Sequence, residues 1–141
     1  MNTENLQIQI KTFFGLEPLL ADEIKKLGGK NVEVKNRAVN CEGDLGFLYK
    51  INYSARTALK ILVPILEFKA YNEHKFYDKL AKFDWEEYMN INQTFAIDAT
   101  VYSETFTHSQ FMSLKMKDAI ADFFQTKYRR RPSVDPKNPD I

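Results

Sequence analysis

Cysteine and glycine are scarce in this sequence, and each scarcity excludes a kind of protein. The single cysteine among the 141 residues, Cys41, cannot form a disulfide within the chain, which is typical of a reducing cytoplasm. The five glycines include two close pairs, Gly28 with Gly29 and Gly43 with Gly46, and neither has the Gly-x-Gly spacing of a loop that holds dinucleotide phosphates. We therefore expect a cytoplasmic protein whose chain does not itself bind a nucleotide cofactor.

Long apolar runs and catalytic constellations are lacking too. The most apolar stretch, residues 59–68, is interrupted by lysine, proline and glutamate and is too short to span a membrane, and the polar residues 1–5 do not begin a signal peptide. The two histidines, His74 and His108, have no cysteine or carboxylate at metal-ligand spacing and no paired nucleophile. We expect no metal, no catalytic residue and no membrane partner for this chain.

Charge is present in ordinary amounts but is sorted along the chain. The net charge is only +1, yet residues 71–104 hold three lysines or arginines against seven carboxylates, and residues 108–131 hold six against two. Four of these cations, Lys127, Arg129, Arg130 and Arg131, fall within five residues. Cations at a helix C-terminus complement the helix dipole, but four together repel one another and favour a phosphate ligand. The late basic block is therefore a candidate nucleic-acid contact.

The first half of the sequence has the periodicities of four strands and two helices. In chain order these are a strand at residues 6–10, a helix at 16–27, strands at 32–34 and 38–42, a helix at 45–57 and a strand at 59–68. Alternating strands and helices also occur in doubly wound sheets, but the link at residues 35–37 is too short for a parallel crossover. The pattern over residues 5–68 therefore predicts a ferredoxin-like βαββαβ arrangement in an α+β protein.

The second half has a different pattern, with two helices and one strand. We predict a helix at residues 72–83, a strand at residues 94–102 where apolar residues alternate strictly, and a helix that a capping box of Thr107 and Gln110 opens and that ends near Tyr128. The side chains of this last helix that are predicted to point inward are Met112, Met116, Ala119, Ile120 and Phe123. Residues 129–141 contain three prolines and are expected to be irregular. A lone strand leaves its edges unpaired, so we expect this chain to be part of a longer protein.

Several short motifs follow one another in an order that is more specific than any of them alone. The first half contains Phe14-Gly15-Leu16-Glu17-Pro18-Leu19-Leu20 with Glu23, then Asn36-Arg37-Ala38-Val39 and Arg56-Thr57-Ala58. The second half contains Phe106-Thr107-His108-Ser109-Gln110, then Leu114-Lys115 with Lys117-Asp118-Ala119-Ile120, and Arg131-Pro132-Ser133-Val134-Asp135. Nearly the whole chain thus resembles the N-terminal region of bacterial THUMP-containing RNA methyltransferases. It is most similar to the branch that methylates the exocyclic amine of guanine in large-subunit ribosomal RNA.

The resemblance implies a division of labour along a longer polypeptide. It implies a ferredoxin-like domain at residues 1–68, a partial THUMP α/β domain at residues 69–141 that holds RNA, and a further Rossmann-like domain that binds S-adenosylmethionine and transfers the methyl group. The chain lacks the Asn/Asp-Pro-Pro-aromatic motif that positions the target amine in such enzymes, and Asn138-Pro139-Asp140 matches it only in part. The expected partners are structured ribosomal RNA and the missing methyltransferase domain, with no DNA. S-adenosylmethionine is expected only in that missing domain.

Eight residues are assigned to RNA binding. Cations of the basic block would hold phosphate oxygens, and the start of the last helix offers free backbone N–H groups at the positive end of the helix dipole. The resemblance favours the motif residues Ser109, Gln110 and Ser133 as further contacts. The eight residues are Ser109, Gln110, Lys115, Lys127, Arg129, Arg130, Arg131 and Ser133.

Other interpretations remain open at this level. Ferredoxin-like domains have many functions, so a small ligand-binding or regulatory protein is an alternative, and THUMP domains also occur in enzymes that modify transfer RNA. Phe13 and Phe14 could stack on RNA bases. Aromatic residues at a strand-to-helix turn are more often buried, so we predict that both rings pack in the core.

Overall fold

The computed structural model describes residues 4–141, so the first three residues of the polar opening stretch lie outside the described residues. The chain divides after Glu67 into two units, Met1–Glu67 and Phe68–Ile141, and each has its own hydrophobic core. No helix in the described part of the chain is both long and apolar enough to cross a membrane.

The first unit is a four-stranded antiparallel sheet with two helices. Its elements are β1 (Leu6–Lys11), α1 (Glu17–Leu27), β2 (Lys30–Lys35), β3 (Ala38–Gly43), α2 (Leu45–Ser54) and β4 (Lys60–Leu62). The strand order is β2-β3-β1-β4, with β1 hydrogen-bonded to β3 on one side and to β4 on the other. This is the ferredoxin-like βαββαβ arrangement, so the fold predicted for the first half is confirmed.

One face of this sheet forms the core of the unit together with α1 and α2. The buried residues of the core are Leu6, Ile8, Ile10, Leu20, Ala21, Ile24, Val39, Cys41 and Ile51. Burial, with a smaller contribution from the charge of Glu42, raises the pKa of the Cys41 thiol to about 11, and the predicted buried thiol is confirmed. Because successive strand residues point to opposite faces, Gln7, Gln9 and Lys11 lie on the other face of β1. We call this second face the open face.

The carboxylate of Glu17 joins the two loops at one end of the sheet. It is only 8% exposed and accepts hydrogen bonds from the backbone N–H groups of Gly15 at 2.7 Å and Arg37 at 3.0 Å. The hydrogen bonds from the backbone N–H groups of Glu17 itself and of Arg37 lower the pKa of this carboxyl. The loop between β1 and α1 is therefore fixed to the turn between β2 and β3.

Helix α2 ends at Ser54, three residues before the predicted end. Ala55 is extended, and the next two backbone N–H groups, of Arg56 and Thr57, donate to the carboxylate of Glu23 at 2.8 and 3.2 Å instead of to helix carbonyls. Burial raises the pKa of Glu23, but the hydrogen bonds outweigh it, led by the Thr57 hydroxyl at 2.7 Å, and the net pKa is lowered. Glu23 thus fixes the segment that leads into β4.

Strand β4 has three residues, whereas the sequence predicted a strand over residues 59–68. It pairs only with Gln9, Ile10 and Lys11 of β1, at the edge of the sheet. Pro64 follows two residues after β4 and has no N–H group to continue the ladder. The apolar run is therefore longer than the strand that it forms.

The second unit contains α3 (Glu73–Ala81), a short 3-10 helix (Trp85–Glu87) and α4 (Ser109–Tyr128), so both predicted helices are confirmed. The buried residues of its core are Leu80, Trp85, Met89, Phe95, Ala119, Ile120 and Phe124. The indole N–H of Trp85 donates to the carbonyl of Leu80 at 2.8 Å, so the polar atom of this buried side chain is satisfied.

The inward face of α4 differs from the prediction at two positions. Met116 and Phe123 were predicted to point inward and are only partly buried, whereas Phe124 is fully buried. Phe124 lies four residues after Ile120, so the two side chains follow one another on the same side of the helix. The predicted burial of Met112, Ala119 and Ile120 is confirmed.

The strand predicted at residues 94–102 is wrong except at Phe95. The backbone N–H of Phe95 donates to the carbonyl of Ser133 at 3.2 Å, and its carbonyl accepts from Asp135 at 3.1 Å, which makes a single parallel bridge to Val134. A strand needs a ladder with a neighbouring segment, and within residues 4–141 this segment makes one bridge to Val134 and backbone hydrogen bonds of Thr94 and Ala96 with residues 140–141. The alternation of apolar residues was therefore not sufficient for a strand.

We expect Phe124→Ala to lower the free energy of unfolding by about 3–5 kcal/mol, because removing this fully buried ring leaves a cavity. The matched control is Leu114→Ala in the same helix, where the side chain is 48% exposed and the expected change is below about 1 kcal/mol. Urea unfolding followed by the fluorescence of Trp85, which lies in the same core, measures both. Unchanged stability of Phe124→Ala would contradict the packing described.

We expect Glu23→Gln to lower the free energy of unfolding at pH 7 by about 1–2 kcal/mol, because the donors of Arg56 and Thr57 lose a charged acceptor. Since the pKa of Glu23 is lowered on folding, its contribution is complete above the ordinary value of 4.5 and is lost as the pH falls through the lowered pKa. The difference in Tm between parent and variant should therefore be largest at pH 7 and disappear in acid. The control is Asp22→Asn at the exposed neighbouring position. A Tm difference between parent and Glu23→Gln that does not change with pH would contradict the role of the Glu23 carboxylate.

Candidate nucleic-acid interface

The eight residues predicted to contact RNA lie at the two ends of α4. This helix has 20 residues and is therefore about 30 Å long. Ser109, Gln110 and Lys115 lie in its first two turns. The other five residues lie in or after its last turn, and they are Lys127, Arg129, Arg130, Arg131 and Ser133. The structure thus places the predicted residues in two groups, one at each end of the helix.

Arg129 ends α4 in the left-handed conformation. Its φ is 55° and its ψ is 25°, and its backbone N–H donates to the carbonyl of Gln125 at 2.9 Å. A left-handed residue turns the chain away from the helix axis. Arg130 and Arg131 therefore leave the helix in a new direction, and cations that are consecutive in sequence have different partners.

Lys127 is neutralised by a carboxylate that lies far away in the sequence. Glu86 of the 3-10 helix accepts hydrogen bonds from the Lys127 ammonium group and the Tyr128 hydroxyl. The bonds from Lys127 and then Tyr128 lower the pKa of Glu86, and the same bonds raise the pKa of Lys127 and the pKa of Tyr128. Lys127 therefore adds little net charge to this surface.

Arg131 is also paired with a carboxylate. Its Nη2 atom donates to Oδ1 of Asp122 at 2.8 Å. The other oxygen of Asp122 accepts from the hydroxyl of Tyr77 in α3, and this bond, followed by burial, raises the pKa of Tyr77 to about 12. Asp122 thus connects α3, α4 and the segment after α4, which gives Arg131 a structural role.

Arg129 and Arg130 keep charge that no carboxylate balances. The Nη1 atom of Arg130 donates to the side-chain oxygen of Asn92 at 3.2 Å, and this amide is neutral. Arg129 is exposed, and its side chain has no carboxylate partner within residues 4–141. Of the four cations at this end of α4, these two can therefore bind an anion without first losing an ion pair.

The capping box predicted at the other end of α4 is not formed. The helix begins at Ser109 with His108 as N-cap, and no side chain caps it. Thr107 therefore precedes the N-cap position and cannot cap, because a capping side chain must belong to the N-cap residue itself. The first turn also contains no acidic residue. Its backbone N–H groups and the positive end of the dipole are left available to an anion.

An open depression of about 480 Å³ lies beside this helix start. It is lined by Thr107, His108, Ser109, Gln110, Phe111 and Leu114. The ammonium group of Lys115 lies 5.5 Å from the centre of the Phe111 ring, at the edge of the depression. The structure therefore brings Ser109, Gln110 and Lys115 to one shallow surface that combines free N–H groups with a cation.

Ser133 has a backbone role in addition to the predicted one. Its carbonyl accepts the N–H of Phe95, and its side chain is exposed two residues after Arg131. The bridge to Phe95 holds the segment after α4 against the core of the second unit. The hydroxyl of Ser133 is therefore presented from a fixed backbone near the C-terminal group of cations.

Three side chains that shape this interface were not identified from the sequence. Glu86, Asp122 and Asn92 lie 41, 9 and 38 residues from the cations that they contact. Such separations do not correspond to the period of a helix or a strand. The excess of carboxylates in residues 71–104 was the one sequence signal for a partner of the basic block. It did not identify which carboxylate pairs with which cation.

The described residues form no cluster of metal-ligating side chains. No group of three or more His, Cys, Asp or Glu side chains within residues 4–141 is placed to hold a metal ion. A Cβ atom added to Gly43 would lie 2.2 Å from the ring of Phe47, so this glycine makes room for an aromatic ring of the core.

Two curated relatives align with most of this chain. The ribosomal RNA large subunit methyltransferase K/L of Syntrophotalea carbinolica is 38% identical over 127 residues, which are 90% of this chain and 18% of that protein. A Synechocystis sp. protein named provisionally as RNA methyltransferase slr0064 is also 38% identical over 127 residues, or 90% of this chain and 33% of that protein. The chain thus spans a third or less of the length of these relatives.

Two solved structures share the fold. One is SMU.472 in complex with SAH, a protein described provisionally as a methyltransferase. Its TM-score is 0.83 at 22% identity, and the aligned region is 94% of this chain and 36% of the SMU.472 chain. The other is a Listeria monocytogenes protein described as a predicted N6-adenine-specific DNA methylase. Its TM-score is 0.80 at 26% identity, and the aligned region is 90% of this chain and 33% of the Listeria chain. Both chains extend well beyond the region that they share with this one.

Two domain families match successive parts of the chain. The RlmL ferredoxin-like domain matches residues 7–62, which contain the four-stranded sheet except for Leu6. The THUMP domain matches residues 70–141, which contain α3 and α4 and make up more than half of the chain. The motifs of the first half lie within the ferredoxin-like match, and those of the second half lie within the THUMP match. The chain therefore belongs to the THUMP domain family.

Proposed function

We propose that this chain docks structured RNA for a methyl transfer that another part of the same protein performs. The observation that carries the proposal is the unbalanced positive charge of Arg129 and Arg130 at the exposed end of α4. Membership of the THUMP domain family and the names of two relatives as RNA methyltransferases support RNA as the ligand. The name of the Syntrophotalea relative favours large-subunit ribosomal RNA over other RNA.

The docking mechanism that fits these residues is electrostatic. Guanidinium groups hold phosphate oxygens with two parallel hydrogen bonds, which fixes the position of the RNA backbone without identifying a base. Arg130 would exchange its bond to Asn92 for a phosphate, and Arg129 is exposed and ready to bind. Lys127 and Arg131 would stay on Glu86 and Asp122 and hold the surface in shape.

The N-terminal end of α4 would supply a second contact to the same RNA. The uncapped N–H groups near Ser109 and Gln110, with Lys115 at the edge of the depression, are suited to a phosphate. A rigid helix about 30 Å long would then hold an RNA stem at two separated points. Two points define a direction, so the RNA would be oriented as well as bound.

The remaining functions are assigned to other parts of the protein and to its setting. Residues 69–141 would act as the RNA-holding domain, and residues 1–68 would form the separate ferredoxin-like domain. S-adenosylmethionine and the chemical step would belong to a methyltransferase domain outside this chain. The single buried thiol and ribosomal RNA as substrate both favour a cytoplasmic setting.

We expect the double variant Arg129→Gln/Arg130→Gln to bind an RNA stem of ribosomal sequence about tenfold more weakly, and to reduce the slope of log K against log salt by about 2, because two phosphate contacts are lost. Glutamine keeps the left-handed position occupied by a side chain, as in the parent. Fluorescence anisotropy across a salt series measures both quantities. The control is Lys25→Gln/Lys26→Gln, which removes two exposed cations from the last turn of α1. Equal affinity of the parent and the arginine variant would place the RNA surface elsewhere.

We expect Glu86→Gln to strengthen binding of the same stem severalfold and to make the salt dependence steeper, because Lys127 loses the carboxylate that neutralises it. The pKa of Lys127 should fall toward its ordinary value for the same reason. Glu73→Gln in the first turn of α3 changes the net charge equally at an exposed site and is the matched control. If both variants shift the affinity equally, net charge is responsible and the pairing of Glu86 is not.

A further inference from the structure

A turn that carries three amide side chains lies beside one of the exposed arginines that follow α4. The turn has the sequence Asn90-Ile91-Asn92-Gln93 and comes shortly after the 3-10 helix. The Nη1 atom of Arg130 donates to the side-chain oxygen of Asn92 at 3.2 Å. The turn and the arginine therefore meet, although 38 residues separate these two partners in the sequence.

The backbone of this turn is attached to the core of the second unit. Met89 before it and Phe95 after it are only 4% and 3% exposed, and Ile91 packs partly against the same core. The backbone N–H of Gln93 donates to the carbonyl of Asn90 at 3.1 Å, which closes the turn. The backbone that carries the three amides is therefore held in place.

The hydrogen bonds of the turn determine which atom of each amide is occupied. The backbone N–H of Asn92 donates to the side-chain oxygen of Asn90 at 3.0 Å, and the backbone N–H of Asn90 donates to the side-chain oxygen of Gln93 at 2.9 Å. Backbone N–H and guanidinium groups can only donate, so the amide atom that each of them contacts is the oxygen. The three NH2 groups have no partner among residues 4–141 and are available as hydrogen-bond donors.

The charges around the turn favour a neutral ligand group at the amides and a phosphate at Arg130. The residue after the turn, Thr94, donates from its N–H and its hydroxyl to the carboxylate of Asp140 at 2.8 and 2.9 Å. The bond from the N–H and then that from the hydroxyl lower the pKa of Asp140, so this carboxylate is ionised at pH 7. It would repel a phosphate placed directly on the uncharged turn, whereas a phosphate on Arg130 meets a full positive charge.

We infer that Asn92 contacts a ribose 2′-hydroxyl beside the phosphate that Arg130 holds, so that this end of α4 selects RNA over DNA. When Arg130 turns from Asn92 to a phosphate, it leaves an amide with one oxygen acceptor and an NH2 donor next to the bound backbone. A 2′-hydroxyl both donates and accepts, and it is the group by which a protein distinguishes RNA from DNA. The NH2 groups of Asn90 and Gln93 offer further donors on the same turn. The inference rests on the proposed function, because it starts from a phosphate on Arg130.

A ribose suits this site better than the edge of a base. Arginines that hold phosphates position a nucleic acid but carry no information about its sugar or its sequence. Double-stranded RNA displays its 2′-hydroxyls across a wide, shallow minor groove, whereas its major groove is too deep and narrow for side chains to read. The short side chain of Asn92, on a fixed turn, is suited to the outer edge of an RNA stem, where sugars and phosphates lie.

The test compares two stems of the same ribosomal sequence, one of RNA and one in which fluorine replaces each 2′-hydroxyl. The fluorinated stem keeps the A-form geometry and the phosphate charges, so the comparison isolates the hydroxyl. Fluorescence anisotropy with the whole chain gives the ratio of the two Kd values for the parent, for Asn92→Ala and for Asn52→Ala. The last is the matched control, because it removes an exposed amide from α2. Asn92→Ala keeps the backbone N–H that donates to Asn90, and Tm values establish that each variant is folded.

The parent should bind the RNA stem about threefold to tenfold more tightly than the fluorinated stem, which corresponds to one or two net hydrogen bonds. Asn92→Ala should bring the ratio close to one by weakening binding of the RNA stem alone. The slope of log K against log salt should stay at its parent value, because a neutral amide releases no counterion. Asn52→Ala should keep the ratio of the parent.

Four results would overturn the inference. If the parent binds both stems equally, the sugar is not recognised, and the inference fails while the proposed function stands. If Asn92→Ala keeps the ratio of the parent, the hydroxyl is recognised elsewhere. If Asn92→Ala weakens binding of both stems equally, the amide contacts the phosphate or positions Arg130. If the parent binds neither stem, the proposed function fails together with the inference.

Discussion

Both units depend on one constraint, which is that backbone N–H and C=O groups without a partner nearby in the sequence must still form hydrogen bonds. A buried N–H or C=O group without a hydrogen bond costs as much as a lost bond, so side chains from elsewhere in the chain must supply partners. Glu17 does so for Gly15 and Arg37 in the first unit, and Asp140 does so for the N–H and hydroxyl of Thr94 in the second. Each contact fixes a loop or tail near exposed cations. Side chains distant in sequence therefore hold these loops and segments in place.

Pairing, and not the number of basic residues, decides which cations are available to a ligand. In the second unit, Glu86 and Asp122 neutralise half of the basic block and leave Arg129 and Arg130 with full charge. In the first unit, Glu17 and Glu23 accept hydrogen bonds from backbone N–H groups and stay ionised, so they contribute negative charge there. The basic block of the second unit thus has local positive charge in a chain whose net charge is only +1. Local positive charge on folded surfaces is what a phosphate backbone recognises.

Predictions from periodicity were confirmed for elements whose stabilising contacts follow from the spacing of apolar residues within the element. The alternation of Leu6, Ile8 and Ile10 predicted β1, and the apolar spacing of α3 and α4 predicted both helices. The strand at residues 94–102 was wrong because its stability depends on a neighbour that pairs with it at one residue only. The predicted capping box is absent because α4 begins one residue later than its spacing requires, with His108 and not Thr107 as N-cap.

The sequence by itself determined the βαββαβ order of the first unit, the two helices of the second, the position of the basic block and the family motifs. Only the tertiary structure decided which cations keep their charge, and it showed that the prediction of a buried Phe13 and Phe14 is wrong, because the two rings are 62% and 77% exposed. The reason is that spacing along a chain fixes contacts within an element. Contacts between elements depend on strand register and helix packing, which bring together residues separated by tens of positions and are selected by burial over the whole unit.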